Sequence, residues 1–324
     1  MTPALLSTTE AFLQGCRDLD RILRRENRCA PTDLEKHTLA TAFWDVSDVL
    51  AAPPEGGWVA DTGDALRAAL GPWLWRSQVW YRATWKPHGY AGDYRMLERM
   101  YDLEGCAFDD RTQPGVLNAL DALLATLHCV QGLWHRRAFY RALLTREHTR
   151  RGGRLRVLDV ACGGARYIRD FLEGVEAGCG DTRGIHLTLV DQDASALAFC
   201  EDHALSPWRE RLRTLSLPIQ HLPRRLREGG YDVVLSTGLY DYLDDPTARA
   251  LSAHLGGLLA PGGVLAVSNY TPSDPSRHIR AWITDWHLIE RDRDRLVRLL
   301  PEALEVTTTA SPERTLAYAL GREA

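Results

Sequence analysis

No apolar run in the 324-residue chain approaches the roughly 20 residues that cross a bilayer, so no membrane-spanning helix is expected. The opening residues, Met1 to Glu10, lack the basic-then-apolar pattern of a signal peptide, and the expected location is the cytoplasm. An excess of charge of one sign is also lacking. Thirty-nine Lys+Arg against 43 Asp+Glu leave a net charge of -4, which argues against sequence-independent nucleic-acid binding. The seven cysteines, Cys16, Cys29, Cys106, Cys129, Cys162, Cys179 and Cys200, include no C-x-x-C pair. That excludes a secreted disulfide framework and a structural zinc site, and predicts reduced, mostly buried thiols. Internal repeats, low-complexity tracts and histidine pairs at metal-ligand spacing are missing too, so no metal is expected.

What remains is an ordinary globular composition, 45% hydrophobic and 25% charged, in a chain too long for a single typical core. The first half shows helical periodicity and almost no strand signal. Phe12, Leu13, Cys16, Leu19, Ile22 and Leu23 share one helical face, and Leu34, Leu39, Phe43, Val46 and Leu50 another. A tryptophan-rich helical stretch follows from Asp64 to Trp85, and a further one from Val116 to Arg150. Trp73, Trp75, Trp80 and Trp85 are expected to serve packing. Gly152-Gly153, set among arginines, is the predicted boundary between a helical domain (1–152) and a second domain (153–324).

Beyond it, short apolar runs alternate with helical patterns. Strands are expected at Arg156–Ala161, His186–Val190, Leu215–Gln220, Asp232–Ser236, Val264–Ser268, Val306–Thr309 and Leu316–Leu320. Helices are expected at Ala165–Gly174, Ala194–Ala204, Pro223–Glu228, Thr247–Leu259 and Arg277–Leu300. Buried strands separated by helices predict an α/β fold with a mostly parallel, Rossmann-like sheet covered on both faces. The last two strands leave no room for a crossover and should form an antiparallel hairpin.

The richest segment runs Val157-Leu158-Asp159-Val160-Ala161-Cys162-Gly163-Gly164-Ala165. A buried strand ends in an acid and passes through a small-residue turn into a helix, the switch-point arrangement at which parallel sheets bind nucleotides. The G-x-G-x-x-G of a dinucleotide enzyme is incomplete, which disfavours a nicotinamide dehydrogenase.

This segment resembles motif I of the class I S-adenosylmethionine-dependent methyltransferases. Val190-Asp191 is similar to the family's second motif, Tyr231 to Tyr240 to its fourth, and Leu259-Ala260-Pro261-Gly262-Gly263 to the turn before its fifth strand. The resemblance implies S-adenosylmethionine as cofactor and S-adenosylhomocysteine as product. It also implies Asp159, Ala161, Gly163, Gly164, Gln192, Ser236, Thr237 and Gly238 at the cofactor, with Asp191 on the ribose hydroxyls. Ala165 stands where the family usually has glycine, a departure that narrows the cofactor loop and is tolerable if the backbone φ is negative. Lys86-Pro87-His88-Gly89-Tyr90-Ala91-Gly92-Asp93-Tyr94, Gly238 to Leu243 and Asp285 to Arg291 resemble a narrower group, the methyltransferases assigned to biosynthesis of the extracellular factor 3-hydroxypalmitic acid methyl ester. That implies carboxyl O-methylation of a fatty acid.

The loop Lys86 to Tyr94 is expected to act as a lid and substrate loop, because it carries a cation, an imidazole, phenols and a carboxylate between helices. Lys86, His88, Tyr90 and Asp93 of this loop, with Tyr242, are the candidate substrate contacts, and Tyr94, Tyr240 and Asp241 the candidate catalytic groups. A carboxylate acceptor would want Lys86, His88 or Arg137 nearby. A guanidino or amino nitrogen would want Asp241 between its two tyrosines, with Asp93 and Tyr94. The expectation leans to N-methylation of an amino-acid-like small molecule such as arginine, with a fatty-acid carboxyl as the alternative and a non-catalytic cofactor-binding domain as a further one. No protein partner is identifiable.

Overall fold

The computed structural model describes residues 1–105, 114–178 and 180–323, so Cys106 and Cys179 lie outside the described residues. Its contacts divide it into two compact units: Met1–Leu133 with Pro275–His287, and Trp134–Asp274 with Leu288–Ala324.

The first unit is helical. Helix α1 (Pro3–Arg25) starts where Thr2 accepts a hydrogen bond from the Leu5 amide, and it buries Leu5, Phe12, Cys16, Leu19 and Leu23 at helical spacing. Helix α2 (Asp33–Ala51) opens with a reciprocal capping box between Thr32 and Glu35. Phe43 of α2 meets Phe12 edge-on at 5.2 Å and the Trp80 ring at 5.4 Å. Two expected long helices are each divided. The stretch over 64–85 becomes α3 (Asp61–Leu74) and α4 (Gln78–Trp85), because Ser77 is extended and restarts the helix. The stretch over 116–150 becomes α6 (Val116–Ala125) and α7 (His128–Arg150), where the Thr126 hydroxyl donates to the Leu123 carbonyl. Between them lies α5 (Tyr94–Asp102). Of the tryptophans, Trp80 is core; Trp85 is exposed against Trp75, and Trp73 lies under Arg76.

The glycine pair is not the boundary between units. Gly152 and Gly153 both have positive φ, and the Gly153 amide donates to the His148 carbonyl, so they terminate α7 and turn the chain into the sheet. The part of α7 beyond Trp134 belongs to the second unit, where Phe139 stacks on Tyr318 at 4.1 Å and Tyr140 packs on Tyr167. Residues 275–287, expected in the second domain, belong to the first unit through α12 (Arg277–Ile283), which packs with α2 and α3.

The second unit is a seven-stranded sheet in the order β3-β2-β1-β4-β5-β7-β6. Its strands are β1 (Leu155–Val160), β2 (Ile185–Asp191), β3 (Leu212–Ser216), β4 (Tyr231–Ser236), β5 (Leu259–Tyr270), β6 (Glu305–Ala310) and β7 (Leu316–Arg322). β7 runs antiparallel to both β5 and β6, as the hairpin predicts, and the other pairs are parallel. β3 starts three residues earlier than expected; the chain leaves it at Pro218, which has no amide hydrogen to donate. α8 (Arg166–Ala177), α9 (Ala194–Phe199), α10 (Leu222–Arg225) and α11 (Asp245–Gly256) follow the expected order. The helix expected over 277–300 is broken between α12 and α13 (Arg293–Val297), beginning at Asp285, whose φ is +49°.

Alternation along β1 fixes the two faces. Leu158 and Val160 join Val234, Leu265, Val267, Ala317 and Ala319 in a core completed by Leu251 and Leu255 of α11 and Leu296 of α13. Each such buried Leu or Val contributes about 1.5–3 kcal/mol. Asp159 therefore points to the opposite face, that of α7 and α8. Among the described residues no single helix is long and apolar enough to cross a membrane; α6 and α7 meet that criterion only as a bent pair.

Candidate functional site at the carboxyl end of the sheet

β1 is paired on both sides, so the chain leaves it between β2 and β4, where the strand order reverses. Asp159 is wholly buried there. The Tyr167 hydroxyl, from the first turn of α8, donates to its Oδ2 at 2.5 Å, and the Thr237 hydroxyl donates to the Tyr167 oxygen at 3.3 Å. Oδ1 of Asp159 is buried with no hydrogen-bond partner among the described residues. Burial pushes this carboxyl up to about 7, against the opposing pull of the Tyr167 hydrogen bond.

The following turn is strained. Ala161, Gly163 and Ala165 have φ of +58°, +54° and +50°. The negative φ on which the Ala165 methyl would be tolerable is not adopted: the residue sits in the left-handed region just before α8, where no side chain caps the helix. The turn is held by its backbone. The Ala161 and Cys162 amides donate to the Val190 carbonyl, and the Gly163 amide donates to Oδ2 of Asp191 at 2.9 Å. Oδ1 of Asp191 accepts the Asp193 amide, also at 2.9 Å. An ionised carboxylate has about four acceptor positions, and the Gln192 amide takes a third, so about one remains for a ribose hydroxyl. Burial raises the Asp191 carboxyl as well, with these amides opposing. Gln192 follows, exposed. The thiols of Cys162 and Cys200 both donate to the Gly163 carbonyl, and neither forms a disulfide. Cys16 and Cys129 are likewise buried and outside any disulfide, whereas Cys29 is exposed.

The end of β4 completes the floor. The Ser236 hydroxyl donates to the Val160 carbonyl, tying β4 to β1. The Thr237 carbonyl accepts from Ser268 at 2.6 Å and from the buried Arg136 guanidinium at 2.9 Å. A Cβ at Gly238 would lie 3.0 Å from Arg136 Nη1, so a side chain there would push that guanidinium by a few tenths of an ångström. Sequence reasoning missed Tyr167 and Arg136. It offered Arg137, which instead forms an ion pair with Asp170.

Of the candidate catalytic groups, Tyr240 is corrected. Its ring lies wholly in the hydrophobic core and its hydroxyl bonds Ser252 at 2.7 Å, which makes it a packing residue. Asp241 is 2% exposed and accepts the Tyr270 amide on Oδ1 at 2.7 Å, while its carbonyl accepts the Ile289 amide. Tyr242 is 42% exposed. Arg291, fully buried, clamps this turn by donating to the carbonyls of Tyr240 and Leu243, to Asn269 and to Asp245.

The candidate substrate loop belongs to the first unit. Lys86, with φ of +48°, donates Nζ to the Asp285 carbonyl at 2.6 Å and to its carboxylate at 3.1 Å. Asp93 is corrected from a substrate contact to a structural acid. It is completely buried, caps α5 through the Arg95 and Met96 amides, and pairs with Arg82. Tyr94 is buried beneath the Arg95 guanidinium and meets His88 edge-on at 5.6 Å. Tyr90 is partly buried.

Residues 158–265 match the family model for a methyltransferase domain. The matched stretch lies within the second unit. Uncharacterized methyltransferases of Mycobacterium bovis and Mycobacterium tuberculosis are each 33% identical to the chain over 135 residues, 39% of its length. The chain spans 58% of the length of these curated relatives. A solved structure of a possible exported protein from Bordetella parapertussis matches the whole chain and 99% of its own, with a TM-score of 0.57 at 16% identity, and shares the fold. The strand order and antiparallel hairpin give the second unit its Rossmann-like form.

The residues present fit S-adenosylmethionine. Two acids flank a turn whose glycine leaves the backbone bare, one with an acceptor position left for a ribose hydroxyl, the other with a buried oxygen that has no partner among the described residues.

Proposed function

We propose that this protein is an S-adenosylmethionine-dependent methyltransferase of a small molecule, and that the acceptor atom is a guanidino or amino nitrogen of an amino-acid-like substrate such as arginine. The observation that carries the reading is the strand-end pair Asp159 and Asp191 around the turn Ala161 to Ala165 at the switch point of the sheet. Asp159, Asp191 and the turn would hold the cofactor, with Gln192 and Ser236 to Gly238 beside it. S-adenosylmethionine supplies a methyl on a sulfonium, which is already activated. The chain's own task is then mainly to align the acceptor, a contribution of up to about 7–11 kcal/mol. Asp241, fixed by the Tyr270 amide, would localise the charge of the nitrogen acceptor or accept its departing proton.

The nitrogen reading is supported by how the candidate cations are used. A carboxylate acceptor needs positive partners, yet Lys86 is paired with Asp285 and Arg137 with Asp170. Carboxyl O-methylation of a 3-hydroxy fatty acid remains the second reading, favoured by the resemblance of the Lys86 to Tyr94 and Asp285 to Arg291 segments. Incubation with methyl-labelled S-adenosylmethionine and either arginine or 3-hydroxypalmitate, followed by mild alkali, separates the two. Label that survives alkali supports nitrogen; labelled methanol establishes an ester and overturns it.

A further inference from the structure

Tryptophan is on average a deeply placed side chain, yet the first unit holds several at its surface. Helix α4 turns Val79, Trp80 and Ala83 inward. Tyr81 and Trp85, four residues apart and so neighbours along the helix, lie on its outer side, 41% and 56% exposed. Trp85 is braced. Its ring meets Trp75 edge-on at 5.0 Å, and Trp75 lies against α3 at Gly71, where a Cβ would come within 2.5 Å of the indole and displace it. Next to Trp75 in the chain, the exposed Arg76 guanidinium sits over the Trp73 ring, 4.2 Å from its centroid. The ends of the two helices thus form a shelf of indole and phenol rings beside a cation.

The charge of this stretch is of one sign. Between Asp64 and Asp93 the chain has no acid and four cations, in a protein whose net charge is -4. Arg67, Arg82 and Lys86 are neutralised by Asp64, Asp93 and Asp285. Arg76 forms no ion pair among the described residues and keeps its charge for a ligand. Rings with an apolar body and a polar N–H or O–H suit the boundary between hydrocarbon and water, and an arginine beside them suits lipid phosphate. A second copy of the chain fits less well, because a two-fold contact through this face would set like cations against each other. We propose that this face rests on the headgroup region of an anionic lipid bilayer, with Tyr81 and Trp85 entering the interface, Trp75 bracing Trp85 and Arg76 pairing with phosphate. The binding is peripheral and reversible, since a few rings and one cation supply it. The rest of an acidic chain is repelled by such a surface, so the same charge that attracts this face orients the molecule.

The test is flotation of the full chain with vesicles of phosphatidylcholine, alone or mixed with phosphatidylglycerol. Binding is expected to the mixed vesicles, and should weaken about fivefold or more as salt rises from about 0.1 to 1 M and the Debye length falls from about 10 to 3 Å. Trp85→Ala should weaken it about tenfold and Arg76→Gln about fivefold. Leu34→Ser, at a leucine 75% exposed on α2, should bind as the parent does. Brominated lipids give a reading that needs no truncated ring: they should quench the parent's tryptophan emission on binding, and that of Trp85→Phe less. A chain that does not float with anionic vesicles overturns the proposal. So do an equal weakening by Leu34→Ser, and flotation with unquenched emission, each of which means adsorption through another surface. A concentration-dependent dimer that Trp85→Ala abolishes, in a protein that ignores vesicles, gives the face to a second copy and overturns the proposal likewise. None of these readings requires the cofactor, so their failure leaves the methyltransferase reading untouched.

Discussion

Arg291 donates Nη1 to the Tyr240 carbonyl at 2.7 Å and, through the same nitrogen, to Asn269 at 2.8 Å. Two segments distant in sequence are thereby locked on either side of Asp241, whose own carbonyl accepts the Ile289 amide. Arg291→Met would leave the Tyr240 and Leu243 carbonyls, Asn269 and the Asp245 carboxylate without this donor. Removing one partner from such a buried ionic cluster costs about 3–5 kcal/mol. Urea denaturation should show that loss, whereas Arg249→Met, at an exposed arginine bonded only to the Arg298 carbonyl, should change stability by less than about 1 kcal/mol.

Adjacent residues after β4 should behave oppositely. Asp241→Asn keeps an oxygen for the Tyr270 amide, so S-adenosylhomocysteine binding and thermal stability should hold while methyl transfer is lost. Tyr240→Phe loses only the bond to Ser252, and should cost about 1 kcal/mol of stability with turnover preserved. Paired rate and melting measurements on the two variants check the assignment; loss of turnover in Tyr240→Phe would restore a catalytic phenol.

The strained turn offers a gain. Ala165 holds φ of +50°, a conformation that costs an L-residue roughly 1–2 kcal/mol and glycine almost nothing. Because glycine also loses more entropy on folding, Ala165→Gly should raise stability by about 0.5–1 kcal/mol. An upward shift of the urea midpoint at unchanged slope is the expected reading.

The acids of the site were legible because a buried strand ending in aspartate before a small-residue turn is a local pattern, and Asp159 and Asp191 each lie at such an end. Tyr167 and Arg136 were not, since both come from helices whose orientation only tertiary packing fixes. Asp93 was misread from a signal that was present. An aspartate three residues before an amide in a new helix is a capping pattern, and burial with Arg82 completes that role. Tyr240 was misread because proximity to the strand end in sequence says nothing about which way a side chain turns; its ring enters the core while Tyr242, two residues on, faces solvent. The domain boundary was placed at glycines that end a helix, because the aromatic packing of α7 on the sheet, through Phe139 and Tyr318, has no local signature.

Asp159 should also leave its mark on the ligand-free protein. Its carboxyl ordinarily titrates near 3.8 and is raised to about 7 in the fold, so between those values the folded state binds more protons than the unfolded one. Stability must therefore fall as pH rises from about 4 to 7, and the whole loss, at most about 4 kcal/mol for this group, is in place above pH 7. Asp159→Asn is isosteric, can still accept the Tyr167 hydroxyl and carries no charge to bury. The variant should be flatter in this pH window and more stable than the parent at pH 8, while matching it more closely at pH 4. Urea midpoints measured across pH 4 to 8 on both proteins decide the matter. Asp191 and Asp121 are raised by burial in both, so the difference between the curves belongs to Asp159. A parallel pair of curves would mean that Asp159 is already ionised in the empty site. A converging pair would show that the second unit carries an acid destabilising to its own fold, as a group kept for ligand binding rather than for stability would be.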